Sequence, residues 1–174
     1  MTALDFLELC RKRRSIRKYK SDKIPKAKLE YVLEAGRLAP SWGNRQCWRF
    51  IVVTDKKKRR AISTREWVAE APAIIVGCAR PDLSGTMFGQ RYYMLDMGIA
   101  MEHIVLAAAE QGLGTCWIGG QFDEEAVKRT LDIPDGVRVV ALTPLGYPAE
   151  TPGLKGRKPM DEVVSHEKWQ EPRS

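Results

Sequence analysis

The sequence predicts one domain of mixed helices and strands. Short, strongly apolar runs bounded by turn residues or charge stand at residues 50–54, 73–78 and 137–145. Apolar groups recur at helical spacing in the stretches before and between them. A chain of 174 residues with 44% hydrophobic and 29% charged residues is also of the usual size to bury one core.

Taken in order, Thr2 followed by Asp5 has the form of a capping box, and Leu4, Leu7 and Cys10 supply an apolar face, so a first helix is expected over residues 3–12. Pro25 at a first turn, with Leu29, Val32, Leu33 and Gly36 at helical spacing, predicts a second helix ending before Pro40. Pro40-Ser41-Trp42-Gly43-Asn44 is then a loop. Residues 50–54 and 73–78 fit buried strands better than helices. The charge run from Lys56 to Arg60 between them is expected to be the solvated face of a short helix.

From residue 92 to 112, Tyr92, Leu95, Ile99, Met101, Ile104, Val105 and Leu106 distribute apolar groups around most of a helix, which must then be buried. About twenty residues at 1.5 Å each run about 30 Å, the diameter of a small domain. A subunit interface and an ordinary core position both satisfy that pattern. Residues 112–120 form a glycine-rich connection whose missing side chains admit close approach of a ligand or another segment. Asp123 caps a further short helix, residues 137–145 are a third strand, and the tail from about 149 to 174, rich in Pro, Gly, Lys and Arg, reads as an arm.

The formal charge of +7 and a pI near 9.3 attract an anionic partner without choosing among a phosphate cofactor, an acidic lipid surface and a nucleic acid. The basic runs lack interleaved stacking aromatics and any nucleic-acid motif, so no nucleic-acid partner is expected. The most apolar region is interrupted by Asp96, Glu102 and Glu110, so no membrane segment is expected either. Cys10, Cys47, Cys78 and Cys116 form no CxxC pair and have no histidine at zinc-ligand spacing, which argues against a metal site. The N-terminus lacks the basic-then-apolar order of a signal peptide, and free thiols in a cytoplasmic protein are the expectation.

Nucleophilic chemistry finds no footing. His103 lies inside the long apolar helix with no orienting partner for a pair with Cys116, and His166 sits in the polar tail. No GxSxG, HExxH or Walker pattern occurs, and Gly112-Leu113-Gly114 lacks the remaining glycines of a dinucleotide fingerprint. The guanidinium cluster of Arg13, Arg14 and Arg17 suits bidentate phosphate binding, although a solvated basic surface has the same composition. Lys155, Arg157 and Lys158 form a second basic group after the Gly146-Tyr147-Pro148 turn, and fit either convergence on that phosphate or a solvated tail. Without a nucleophile or metal, chemistry points to a bound cofactor that the protein orients.

Four segments, in this order, carry a resemblance: Arg13-Arg14-Ser15-Ile16-Arg17-Lys18-Tyr19; Pro40-Ser41-Trp42-Gly43-Asn44-Arg45-Gln46-Cys47-Trp48; Gly112-Leu113-Gly114-Thr115-Cys116-Trp117-Ile118-Gly119; and Leu145-Gly146-Tyr147-Pro148 with Arg157-Lys158-Pro159. Together they resemble the nitroreductase family of flavin enzymes over about residues 4–165. The resemblance implies an α+β fold with a central, mostly antiparallel sheet flanked by helices, and an intertwined homodimer built around the long helix.

It also implies FMN as cofactor, NADH or NADPH as donor, and ping-pong hydride transfer through flavin N5 to a nitroaromatic, quinone or similar small acceptor. The same fold accommodates reductive dehalogenation, flavin breakdown or substrate oxidation. By the resemblance Arg13, Ser15 and Arg17, with Arg14 beside them, lie at the flavin phosphate, ribityl chain and pyrimidine edge, where a fixed cation stabilises the negative charge of reduction. Pro40, Ser41, Trp42 and Asn44 reach the flavin from the other subunit. Trp117, Ile118, Gly119 and Gly120 line the ring near N5, and Arg157 and Lys158 hold the phosphate; no protein side chain is expected to act as catalytic acid or base. Trp42 and Cys47 depart from the family's usual small residue and proline, and the helical insertion of larger members is reduced to residues 80–90.

Overall fold

The computed structural model describes residues 5–171. Thr2 and Leu4, half of the expected capping box and part of the first apolar face, lie outside the described residues. Helix α1, Phe6–Lys12, begins after Asp5, whose side chain makes no capping hydrogen bond. Its apolar face does not meet the core of its own protomer: Phe6 and Leu7 are more than half exposed, at 63% and 56%.

Helix α2, Lys26–Arg37, starts one residue after Pro25, whose carbonyl accepts from the Lys28 and Leu29 amides. Strand β1, Trp48–Val53, is followed by helix α3, Lys56–Ile62, and helix α4, Glu66–Glu70. Strand β2 is Ala73–Ala79; a small hairpin of β3, Thr86–Met87, and β4, Gln90–Arg91, occupies the reduced insertion. Phe88 and Gly89 turn that hairpin with positive φ at both positions, as a tight two-residue connection requires. Then come helix α5, Tyr92–Glu110, strand β5, Gly114–Thr115, helix α6, Glu124–Leu131, strand β6, Arg138–Gly146, and helix α7, Met160–Val163.

The main sheet has the order β1-β2-β6-β5, and every neighbouring pair is antiparallel. All seven residues of β2 are buried, because its central position puts helices over both faces. Ala73, Ile75 and Ala79 join a cluster with Met97, Met101 and Ile104 of α5 and Val32 of α2. Ile74, Val76 and Cys78 join the other, with Ile62 of α3, Val68 of α4 and Val127 of α6. Period-2 alternation thus feeds two cores at once, and the strand reads as a continuous apolar run. Each fully buried Ile, Met or Val contributes about 1.5–3 kcal/mol relative to exposure.

Two expectations change in detail. The charge run of α3 is not solvated throughout: Arg59 is buried, donating from Nε to the Ala69 carbonyl at 3.0 Å and from Nη1 to those of Thr54 and Pro72. Its guanidinium satisfies loop carbonyls that would otherwise be stranded between α3, α4 and β2. Helix α5 is apolar nearly all round but buried on one side only. Tyr93, Met97, Met101 and Ile104 face the sheet, while Met94, Leu95 and Ile99 remain 49%, 51% and 41% exposed.

Candidate functional site

The basic segment after α1 is held in place by backbone pairing. Ser15 bridges to Thr115 in parallel, and the Ile16 amide donates to the Thr115 carbonyl at 2.8 Å. Ile16 is buried against Gly114, where a Cβ would stand 2.7 Å from Ile16 Cγ1, so only glycine admits that side chain. Further along, the Lys20 amide donates to Tyr147 and that of Ala149 to Lys18, both at 2.9 Å. Three of the four motif segments are therefore stitched together: residues 13–19, 112–119 and 145–148.

The cations of this segment divide between two cavities. Arg17 enters a cavity of about 340 Å³ with Arg65, Trp67, Cys116, Trp117, Ile118, Gly119, Gly120 and Gln121 along its wall. Its guanidinium lies 5.8 Å from the Trp67 ring centroid, a cation–π arrangement. Arg65 donates to Gln121 Oε1 across the cavity. No carboxylate lines this wall, and neither Arg17 nor Arg65 is ion-paired among the described residues. A Cβ on Gly119 would come 2.7 Å from Trp117 Nε1, whereas one on Gly120 would meet nothing within 4 Å. The backbone at Gly120 therefore stands open to a guest.

Arg13 and Arg14 face a second cavity of about 240 Å³, with Lys12, Gly112, Gly114 and Glu150 among its lining residues. Arg14 Nη1 donates to its neighbours' carbonyls, at 2.8 Å for that of Arg13, but its Nε is buried with no partner. An orphaned guanidinium donor in a basic cleft suits an anion. Arg13 Nε lies 3.9 Å from Glu102 Oε1; burial raises the Glu102 pKa and Arg13 draws it back. Glu150 Oε1 accepts the backbone amides of Arg17 at 2.5 Å and Lys18 at 3.1 Å. The Tyr19 hydroxyl donates to the Ile16 carbonyl at 2.5 Å, and burial pushes its pKa up.

The fourth motif segment lies elsewhere. Pro40, Ser41, Trp42 and Asn44 line neither basic cavity of their own protomer. Trp42–Asn44 is one 3₁₀ turn, with Gly43 and Asn44 at φ of 55° and 54°; glycine and asparagine tolerate that left-handed backbone best. Nor does the structure bring Arg157 and Lys158 to those cavities. Arg157 donates to the carbonyls of Lys155 and Gly156 at 3.2 and 3.0 Å, and Lys158 pairs with Glu162 at 3.4 Å, all on the exposed tail. The tail from 151 to 171 buries no residue, so nothing in the protomer's core anchors these cations.

Arg65, Trp67 and Gln121 belong to the first cavity but escaped sequence reasoning. Arg65 and Trp67 lie at the start of a five-residue helix with no motif of its own, and only the fold places them opposite residues 117–121. Among the described residues, no His, Cys, Asp and Glu group of three or more could hold a metal ion, and all four cysteines are unpaired. Among the described residues, no helix is long and apolar enough to cross a membrane.

A sequence model of the nitroreductase family matches residues 10–67 and 63–147. The chain is 30% identical to the NADH dehydrogenase of Thermus thermophilus over 94% of its own length and 97% of that protein's. It is similar to the crystal structure of a nitroreductase family protein from Clostridium difficile 630, with a TM-score of 0.88 and 32% identity over 95% of this chain and 100% of the other. It is likewise similar to the NADPH:FMN oxidoreductase of Vibrio harveyi complexed with NAD+, with a TM-score of 0.83 and 26% identity over 95% of this chain and 78% of that one.

Proposed function

Because the chain belongs to the nitroreductase family and is an oxidoreductase of that family, we propose that it binds FMN at the interface of a homodimer and passes reducing equivalents from NADH or NADPH to a small acceptor. The acceptor class is a nitroaromatic, a quinone or a similar compound, taken by a ping-pong mechanism. One observation carries the reading: a cavity without acids where Arg17, Arg65, two indoles and the unobstructed Gly120 backbone meet.

The residues present fit the cofactor. A planar, anionic guest matches the indoles of Trp67 and Trp117 and the uncompensated guanidinium groups, and the orphaned Arg14 Nε in the second basic cavity matches a phosphate. FMN, when bound, supplies the hydride relay between nicotinamide and acceptor. The chain's own part is to bind, orient and exclude water. Arg17 and Arg65 hold positive charge where the reduced cofactor is more negative, in a fixed geometry that needs no rearrangement. Trp117, Ile118, Gly119 and Gly120 shape the ring's seat, with Ser15 at its edge. Arg13 and Arg14 take the phosphate, with Arg157 and Lys158 joining from the tail.

Dimerisation is supported by the exposed apolar flank of α5, Met94, Leu95 and Ile99, together with Phe6 and Leu7 of α1. Contiguous apolar surface of this kind marks an interface. The loop at Pro40, Ser41, Trp42 and Asn44, which lines neither basic cavity of its own protomer, is then offered to the flavin of a second copy. The test is to saturate purified protein with FMN and determine mass and stoichiometry by sedimentation. One flavin per subunit in a dimer is the expected result; a flavin-saturated monomer contradicts the shared site.

A further inference from the structure

Asp96 is an anomaly on the apolar helix α5. It is 2% exposed, and no cation pairs with it among the described ion pairs. A carboxylate buried without a counter-charge is strongly unfavourable unless hydrogen bonds take the place of water. Three donors do so here. The Trp42 amide donates to Oδ1 at 2.8 Å, the Ser84 hydroxyl to Oδ2 at 3.1 Å, and the Cys47 thiol to Oδ2 at 3.5 Å.

These donors come from two segments far apart in sequence. Trp42 opens the 3₁₀ turn and Cys47 follows it, while Ser84 lies in the connection that leads to the β3–β4 hairpin. The same two segments, with Tyr92 at the start of α5, grip the Trp42 indole. The Tyr92 ring stacks on it at 5.7 Å, the Arg45 guanidinium lies 5.4 Å from it, and a Cβ on Gly85 would fall 2.6 Å from its Cη2. The Tyr92 amide in turn donates to the Gly85 carbonyl at 2.9 Å. Trp42 is thus held by its backbone through Asp96 and by its ring through Gly85 and Tyr92.

We infer that Asp96 is a positioning residue for the reaction: it fixes the turn carrying Trp42 and the Ser84–Gly85 corner to α5 as one body, and so sets the opening through which the acceptor reaches the flavin. The inference rests on the proposed function, in which that turn closes the flavin site of a second copy. A large indole held from both sides narrows such an opening to flat substrates, and loosening either segment widens it.

Hydrogen exchange and kinetics on the FMN-loaded enzyme test the inference with two variants. Ser84→Ala removes one donor without touching the turn, and Asp96→Asn keeps the shape but removes one acceptor oxygen. Coupling predicts that in Ser84→Ala the amides of residues 41–46 exchange about tenfold faster, the cost of one hydrogen bond to a charged group. The KM for a nitroaromatic acceptor rises by about the same factor, while the rate of flavin reduction by nicotinamide stays within about twofold. Asp96→Asn loosens both segments; should it fail to fold, Ser84→Ala still decides. Exchange changes confined to residues 80–91, with acceptor KM unmoved in FMN-replete enzyme, overturn the role of Asp96 alone. Wild-type protein that takes up no FMN overturns the reading beneath it.

Discussion

At the scale of single residues, Arg17 concentrates the electrostatic argument, since its guanidinium faces the cavity with an indole beneath it and no ion pair among the described residues. Replacing it by Ala is expected to weaken FMN binding about 10- to 100-fold, the usual worth of a hydrogen bond to a charged partner, with Arg17→Lys intermediate; fluorescence titration of FMN measures this. The buried thiols give a second expectation. Burial, with the Asp96 carboxylate second, pushes Cys47 up to about 11, and burial pushes Cys78 up to about 12, from an ordinary 9.0. An unfolded chain releases these protons first as pH rises, so the native state holds more of them above pH 9 and loses stability progressively toward pH 11–12. Urea midpoints at pH 8 and above 9 should show that loss, diminished in Cys78→Ala; a midpoint that does not move with pH contradicts it.

At the scale of elements, the strands and helices were legible because each carries its own period: the run at 73–78 reads as a buried strand and is one, and the spacing of Leu29, Val32, Leu33 and Gly36 marks α2. What local pattern does not hold is which face meets what. Gly36 looks like a plain member of a helical stripe, yet it sits where α2 crosses α5, and a Cβ there would fall 2.7 Å from Ile104 Cγ1. Gly36→Ala gains up to about 1 kcal/mol in helix propensity but forces a stiff, fully buried β-branched side chain to move, at about 1–3 kcal/mol. The net expectation is a destabilised protein with unaltered secondary structure, seen as a lower urea midpoint. The site shows the same division. Motifs 13–19 and 112–119 stood out through the family resemblance, since an arginine cluster alone fits a solvated surface equally well, and the fold joins them at Ser15 and Thr115. Arg65 and Trp67 did not, because only the packing of α4 beside residues 117–121 gives them a role.

At the scale of the whole molecule, the protomer holds two basic cavities and, apart from both, a turn and a tail that bury little against them. Helix α5, 19 residues long, leaves Leu95 and Ile99 exposed on its flank, and in the proposed dimer a second copy covers them and brings its own turn to the first copy's cavity. Placing a charge there, as in Leu95→Glu with Ile99→Glu, is expected to yield monomers by sedimentation and to weaken FMN binding together with assembly. The most direct measurement is the absorption spectrum of purified protein equilibrated with FMN, freed of unbound flavin and then treated anaerobically with NADH or NADPH. Retained flavin bands that bleach on adding the nicotinamide and return on adding a nitroaromatic or quinone are the predicted result. A colourless protein after FMN treatment, or bound flavin that neither nicotinamide bleaches, contradicts the account.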